Sequence, residues 1–213
     1  MRISEVAICN RALARVGEKA NVVSINPTDG TELSEACARF YPLALGAVLE
    51  AHPWSFATKR VTLAQRHGFN AAPWKYAFSA PDDFARAIDV RNAESGMDYE
   101  MLPGYLTPRF ERIDFEMEAD ASGLVILANS EQIMLRYIVN NPKPVFFPFV
   151  FVDALAWRLA GDLCGELIKG DTGYKLADAI ERNYIAALTR AIHADTKNHR
   201  ANLSRLPRWI ATR

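Results

Sequence analysis

Cysteine is scarce in this chain. Cys9, Cys37 and Cys164 stand far apart among 213 residues, and none belongs to a CxxC pair. An odd count without that spacing offers neither a disulfide framework nor a zinc cage. Each falls on an apolar helical face, so all three read as buried thiols of a cytosolic protein. An excess of one charge is missing too: 25 Lys+Arg balance 25 Asp+Glu, whereas a dedicated duplex-DNA binder is basic. No apolar run reaches the roughly 18 residues of a membrane span. The amphipathic start, MRISEVAICNRALARVG, carries charges throughout and is no signal peptide.

Catalytic signatures are absent as well. Gly170-Asp171-Thr172-Gly173 lacks the lysine of a phosphate loop, and no G-x-S-x-G elbow occurs. His52, His67, His193 and His199 never take the HExxH form, and the last two are not spaced to share a helical face. Cys164 and His193 meet as nucleophile and base only if the fold brings them together, and Cys164 sits on an apolar stripe. Asp82-Asp83 follows Pro81 and reads as a turn or helix cap, not as a paired acid and base. No cofactor or metal site is expected.

What is present is organised around residues 27–60. Asp29 and Glu32 have capping-box spacing, and Leu33, Ala36, Cys37, Phe40, Ala44, Ala47, Val48 and Ala51 form one apolar stripe. Glu35 and Arg39 are placed to pair on the other face. The stripe continues past Pro42, which predicts one kinked helix. His52-Pro53 stops it, and Trp54 and Phe56 are bulky enough to pin the exit.

A first helix is predicted over 3–16, capped by Ser4, faced by Val6, Ala7, Asn10, Leu13 and Ala14, and ended by Gly17. Between 59 and 139 the period shortens. Strands are predicted at 61–63, 76–78, 110–112, 115–117, 124–128 and 134–139, forming a small antiparallel sheet, with a helical turn or two at 82–89. Asn141-Pro142-Lys143-Pro144 leads back to helix. The third helix starts near Pro148 with the stripe Phe149, Val152, Leu155, Ala156, Leu159, Ala160, Leu163, Cys164 and Leu167. After a turn at 170–173, the fourth faces inward through Leu176, Ala177, Ile180, Tyr184, Ala187, Leu188, Ala191 and Ile192. Asp178, Glu181, Arg182 and Arg190 face away.

The expected fold is mainly α with a β insert (α+β). Residues 1–57 and 142–196 form a four-helix bundle, 58–141 a β-rich insert, and 197–213 an extended tail. Charge is uneven along it: residues 51–81 carry a surplus of four cations, 82–120 a surplus of seven acids, and the chain after Asp195 five cations and no acid. Scattered solvated charge is the plain reading; insert and tail meeting different partners is the functional one.

The end, HRANLSRLPRWIATR, is either a frayed terminus or a segment that orders on a partner. Trp and Arg dominate binding hot spots. Trp209 therefore reads as the anchor and Arg205 and Arg208 as the rim, within a docking set of Arg200, Arg205, Leu206, Arg208, Trp209, Ile210 and Arg213.

Cys9-Asn10-Arg11-Ala12-Leu13-Ala14-Arg15-Val16-Gly17-Glu18, Ala36-Cys37-Ala38-Arg39-Phe40-Tyr41-Pro42 and Trp54-Ser55-Phe56-Ala57 have a recognisable order and spacing. With Tyr76, Pro81-Asp82-Asp83-Phe84 and the closing Ala211-Thr212-Arg213, they make the chain resemble the tail tubular protein A-like head-to-tail adaptors of short-tailed bacteriophages and prophages. The likeness spans the whole length and is one of order, not of a catalytic motif. It implies a non-enzymatic structural protein of the virion neck, assembled in the host cytoplasm. It also implies a dodecameric ring between portal protein and tail nozzle protein, through which DNA passes without sequence-specific binding during packaging retention and ejection. On that reading the tail docks on the portal, and the acidic insert faces nozzle or channel. The alternatives are another tail-completion or nozzle component, or a small hydrolase whose site is assembled in three dimensions.

Overall fold

The computed structural model describes residues 3–93, 99–102, 105–108, 112–121 and 123–198. Over these the chain is an α+β mixture of four helices, two three-stranded antiparallel sheets and one two-stranded ladder. It divides into two compact units. One takes the chain up to Val48, Trp54–Phe56 and the chain from Lys143; the other takes Leu49–Pro53 and Ala57–Pro142.

In the helical unit, α1 (Glu5–Val16) starts where Ser4 Oγ accepts from the Ala7 N–H at 3.2 Å. It ends at Gly17, whose φ of 89° is left-handed. Its inward face is Ile8, Cys9, Ala12, Leu13 and Val16. Ala7 and Ala14, expected inside, face water. Alanine stands on both sides of this short helix and blurs the apolar phase.

α2 (Glu32–Glu50) is one helix through Pro42, which faces solvent. Its cap is Thr31, whose Oγ1 accepts from the Ser34 N–H at 3.2 Å. Asp29, expected as the cap, lies two residues earlier and ties the loop instead. It accepts from the Thr31 hydroxyl, the Thr31 N–H and the Val23 N–H, bonds that hold its carboxyl well below the usual range. Arg39 pairs not with Glu35 but with Glu166, at 3.1 Å. Tyr41 and Leu45 are buried, whereas Ala47 and Ala51 are not.

α3 (Phe149–Leu167) packs against α1 and against α4 (Asp171–Asn198). α4 opens at Asp171, inside the stretch expected as a turn, so the connection shortens to 168–170. Ile180, Ala187 and Ala191 are buried, and Asp178, Glu181, Arg182 and Arg190 are exposed, as the periodicity predicts. All three cysteines are buried and free. The neighbouring Cys37 thiol, 28 positions on in the sequence, and then burial push the Cys9 thiol far up.

The other unit holds β1 (Thr58–Thr62), β2 (Tyr76–Ser79), β3 (Phe84–Asn92), β4 (Tyr99–Leu102), β5 (Tyr105–Pro108), β6 (Phe115–Asp120), β7 (Gly123–Ala128) and β8 (Ile133–Val139). One sheet has the order β1-β8-β3, a second β2-β7-β6, and β4 pairs with β5. The helical turn expected at 82–89 is instead most of β3, a nine-residue strand. Of the strand expected at 110–112, residues 110 and 111 lie outside the described residues, and Arg112 makes a single bridge to Arg91. In β8 the buried Leu135, Tyr137 and Val139 alternate with Arg136 as expected, but Ile138 is buried too. Ala71, Ala77, Val125 and Leu127 form a small core roofed by Phe69 and Trp74.

Candidate assembly surface

The stretch Pro144-Val145-Phe146-Phe147-Pro148-Phe149-Val150-Phe151 carries more apolar bulk than one face can bury. A 3-10 turn covers Pro144–Phe146, and Pro148 caps α3 in an extended conformation. The prolines break the run, and the rings part into two sets. Phe147 and Phe151 turn inward, 4.9 Å apart between centroids. Phe151 also meets Trp54 at 5.0 Å and Phe56 at 4.7 Å, edge to face. Trp54 is 1% exposed, and its Nε1–H donates to the Val48 carbonyl at 2.8 Å, which satisfies an end carbonyl of α2.

The other set faces water: Val145 is 54% exposed, Phe146 64%, Phe149 70% and Val150 39%. Phe149, expected on the inward stripe of α3, is the most open of them; Phe151 holds the place assigned to it. Two such rings leave roughly 200–300 Å² of apolar surface in water. Covering it is worth about 5–7 kcal/mol at ~25 cal/mol/Å². A groove of about 370 Å³ adjoins at Val145, lined by Ile3, Ser4, Glu5, Val6, Lys143 and Pro144.

One turn along α3 from Phe149 stands Asp153, where three arginines converge. Arg11 reaches its Oδ1 at 2.5 Å, Arg15 bonds both that oxygen and the Asp153 carbonyl, and Arg190 lies 3.6 Å from Oδ2. The Arg15 guanidinium also lies 3.9 Å over the Trp157 ring. One carboxylate cannot neutralise three guanidinia. An apolar centre is thus bordered by a basic rim holding a tryptophan, the anatomy of a protein–protein interface.

No known family model and no curated protein matches this chain.

The expected docking residues Arg200, Arg205, Leu206, Arg208, Trp209, Ile210 and Arg213 lie outside the described residues. The helix leading to them is tied at its last turns. The buried Asp195 accepts from the Ser55 N–H at 3.1 Å and from the Ser55 hydroxyl.

Cys164 is buried, and its Sγ–H donates to the Gly173 carbonyl at 3.7 Å; burial pushes the thiol up, away from nucleophilic character. His193 is exposed on α4. The hollow of about 430 Å³ beside Cys164 is lined otherwise by Gly165, Ile168, Lys169, Gly170, Gly173, Tyr174 and Ala177, with no acid–base pair. Asp83 accepts from Lys59 Nζ at 2.6 Å and from the Tyr137 hydroxyl at 2.8 Å, a structural tie between strands. Among the described residues no cluster of His, Cys, Asp and Glu has the makings of a metal site, and no helix is long and apolar enough to cross a membrane.

The sequence reading missed Phe146, Phe149, Arg11, Arg15 and Arg190 as a surface. Its one signal was the density of Phe and Val between two prolines. The arginines are scattered along the chain and meet only through Asp153.

Proposed function

We infer that this chain is a non-enzymatic assembly adaptor, and that its helices form a four-helix bundle whose Val145–Val150 surface covers a neighbouring copy. Its likeness in order and spacing to the head-to-tail adaptors of short-tailed phages gives the assembly its form: a ring in the virion neck, with the portal gripping the C-terminal tail and the nozzle below. The observation that carries the reading is the pair of open phenylalanines beside three arginines on one carboxylate. An apolar patch rimmed by charged side chains marks a surface built to be covered.

The test is a double substitution, Phe146→Ser with Phe149→Ser. Both side chains already face solvent, so thermal unfolding stays near that of the parent. Mass photometry on portal rings from the same genome reads the rest. The parent chain is expected to fill the ring, while the double variant binds sparsely and without cooperativity. Full, cooperative rings of the double variant defeat the proposal.

A further inference from the structure

The sheet β1-β8-β3 bears a second feature that assembly does not use. Arg60 of β1 stands directly opposite Arg136 of β8, and Arg136 stands opposite Asp89 of β3. Arg91, two residues on from Asp89, reaches it with Nε at 2.9 Å and Nη2 at 3.3 Å. Arg136 Nη1 lies 3.5 Å from the same carboxylate. Asp89 is 4% exposed. Two guanidinia, both half-buried, thus share the Asp89 carboxylate, and Arg60 lines the same hollow. Like charges directly opposite in a sheet are destabilising. Arg136 Nε, itself buried, has no protein partner among the described residues, and Arg60 is exposed. Together with Met134 these side chains line a hollow of about 30 Å³, room for a water-sized group.

We propose that this hollow is an oxyanion site, which seats one oxygen of a phosphate group while Arg60 closes on the others from the rim. A guanidinium offers its N–H donors as a planar fork that fits phosphate, and a partly buried one gains most from an added anion. The phosphate belongs either to a free ion or to a nucleic-acid backbone; the donors serve both. The site lies in the strand unit and stands whether or not the Val145–Val150 surface binds a neighbour.

The test uses the full chain with inorganic phosphate in one arm and a short duplex oligonucleotide in the other, each against sodium chloride at matched ionic strength. The readout is the ¹⁵N–¹H signal of Arg136 Nε. A saturable shift is expected, weakened about fivefold or more by Arg60→Gln, with one charge-assisted donor lost at an exposed position. Arg136→Lys keeps the charge but not the fork and loses its own Nε signal, so it is read on Arg91 Nε, where it is expected to weaken the shift too. Saturation by phosphate assigns a free-ion site; saturation by the oligonucleotide alone assigns a backbone site. No saturable shift in either arm, a shift that chloride reproduces, or one that Arg60→Gln leaves unchanged overturns the proposal.

Discussion

Asp83 holds two partners from two strands, Lys59 of β1 and Tyr137 of β8, and the tie shifts both Asp83 and Tyr137. The Lys59 ammonium, then the Tyr137 hydroxyl, draws the Asp83 carboxyl below its usual range against the opposing effect of burial. Its share of stability is present above about pH 4, the unfolded value, and is lost as pH falls through the lowered folded value. Lys59 and Asp83 are both well exposed, so that share is small. Tyr137 moves the other way. Burial first, and then the Asp83 carboxylate, push its phenol up to about 12. Its contribution is whole below about pH 10 and fades as pH climbs through the folded value. In an alkaline titration followed by tyrosinate absorbance, a component near pH 12 is expected beside those of the buried Tyr41 and half-buried Tyr184, which are raised too, and Tyr137→Phe removes it. A first tyrosinate step near pH 10 that vanishes in the same variant contradicts the assignment.

At the scale of elements, the α3–α4 connection turns on Gly173. A Cβ there would lie 2.3 Å from the Ile168 carbonyl oxygen, a backbone atom that cannot step aside. Gly173→Ala is therefore expected to cost about 2–3 kcal/mol in urea unfolding. Gly165→Ala, helical and with nothing within 4 Å of the added carbon, is expected to gain about 0.5–1 kcal/mol. Equal effects from the two would remove the steric account. The same scale shows what the sequence could tell. Helix existence was legible because Ser4 and Gly17 cap as their chemistry demands and the stripe of α4 has a clean period. The face of α1 was not, since alanine marks both of its sides. β3 was hidden because its pairing with β8 shifts register twice, between Phe84 and Arg86 and between Ala87 and Asp89. Each shift breaks the two-residue alternation by which a strand is read.

For the molecule as a whole, the legible parts were those fixed by neighbours in sequence. The Asp153 and Asp89 clusters join residues from separate elements, which no local period records. Phe149 needed the phase of the first helical turn, set by Pro148. On the proposed assembly, the tail and the Val145–Val150 surface serve different partners, so their losses separate. Removing residues 200–213 leaves the fold and abolishes portal pull-down. Trp209→Ala weakens portal docking by about 2 kcal/mol, roughly thirtyfold. A truncated chain that docks normally takes the tail out of the account.

The bond between Asp195 and Ser55 has a mechanical side. Ser55 stands between Trp54 and Phe56, both packed against Phe151. A pull applied to the chain beyond α4 is therefore not spent peeling that helix turn by turn. It passes sideways through one carboxylate into the aromatic centre, and on the proposed assembly a load on the chain end is borne by the whole helical unit.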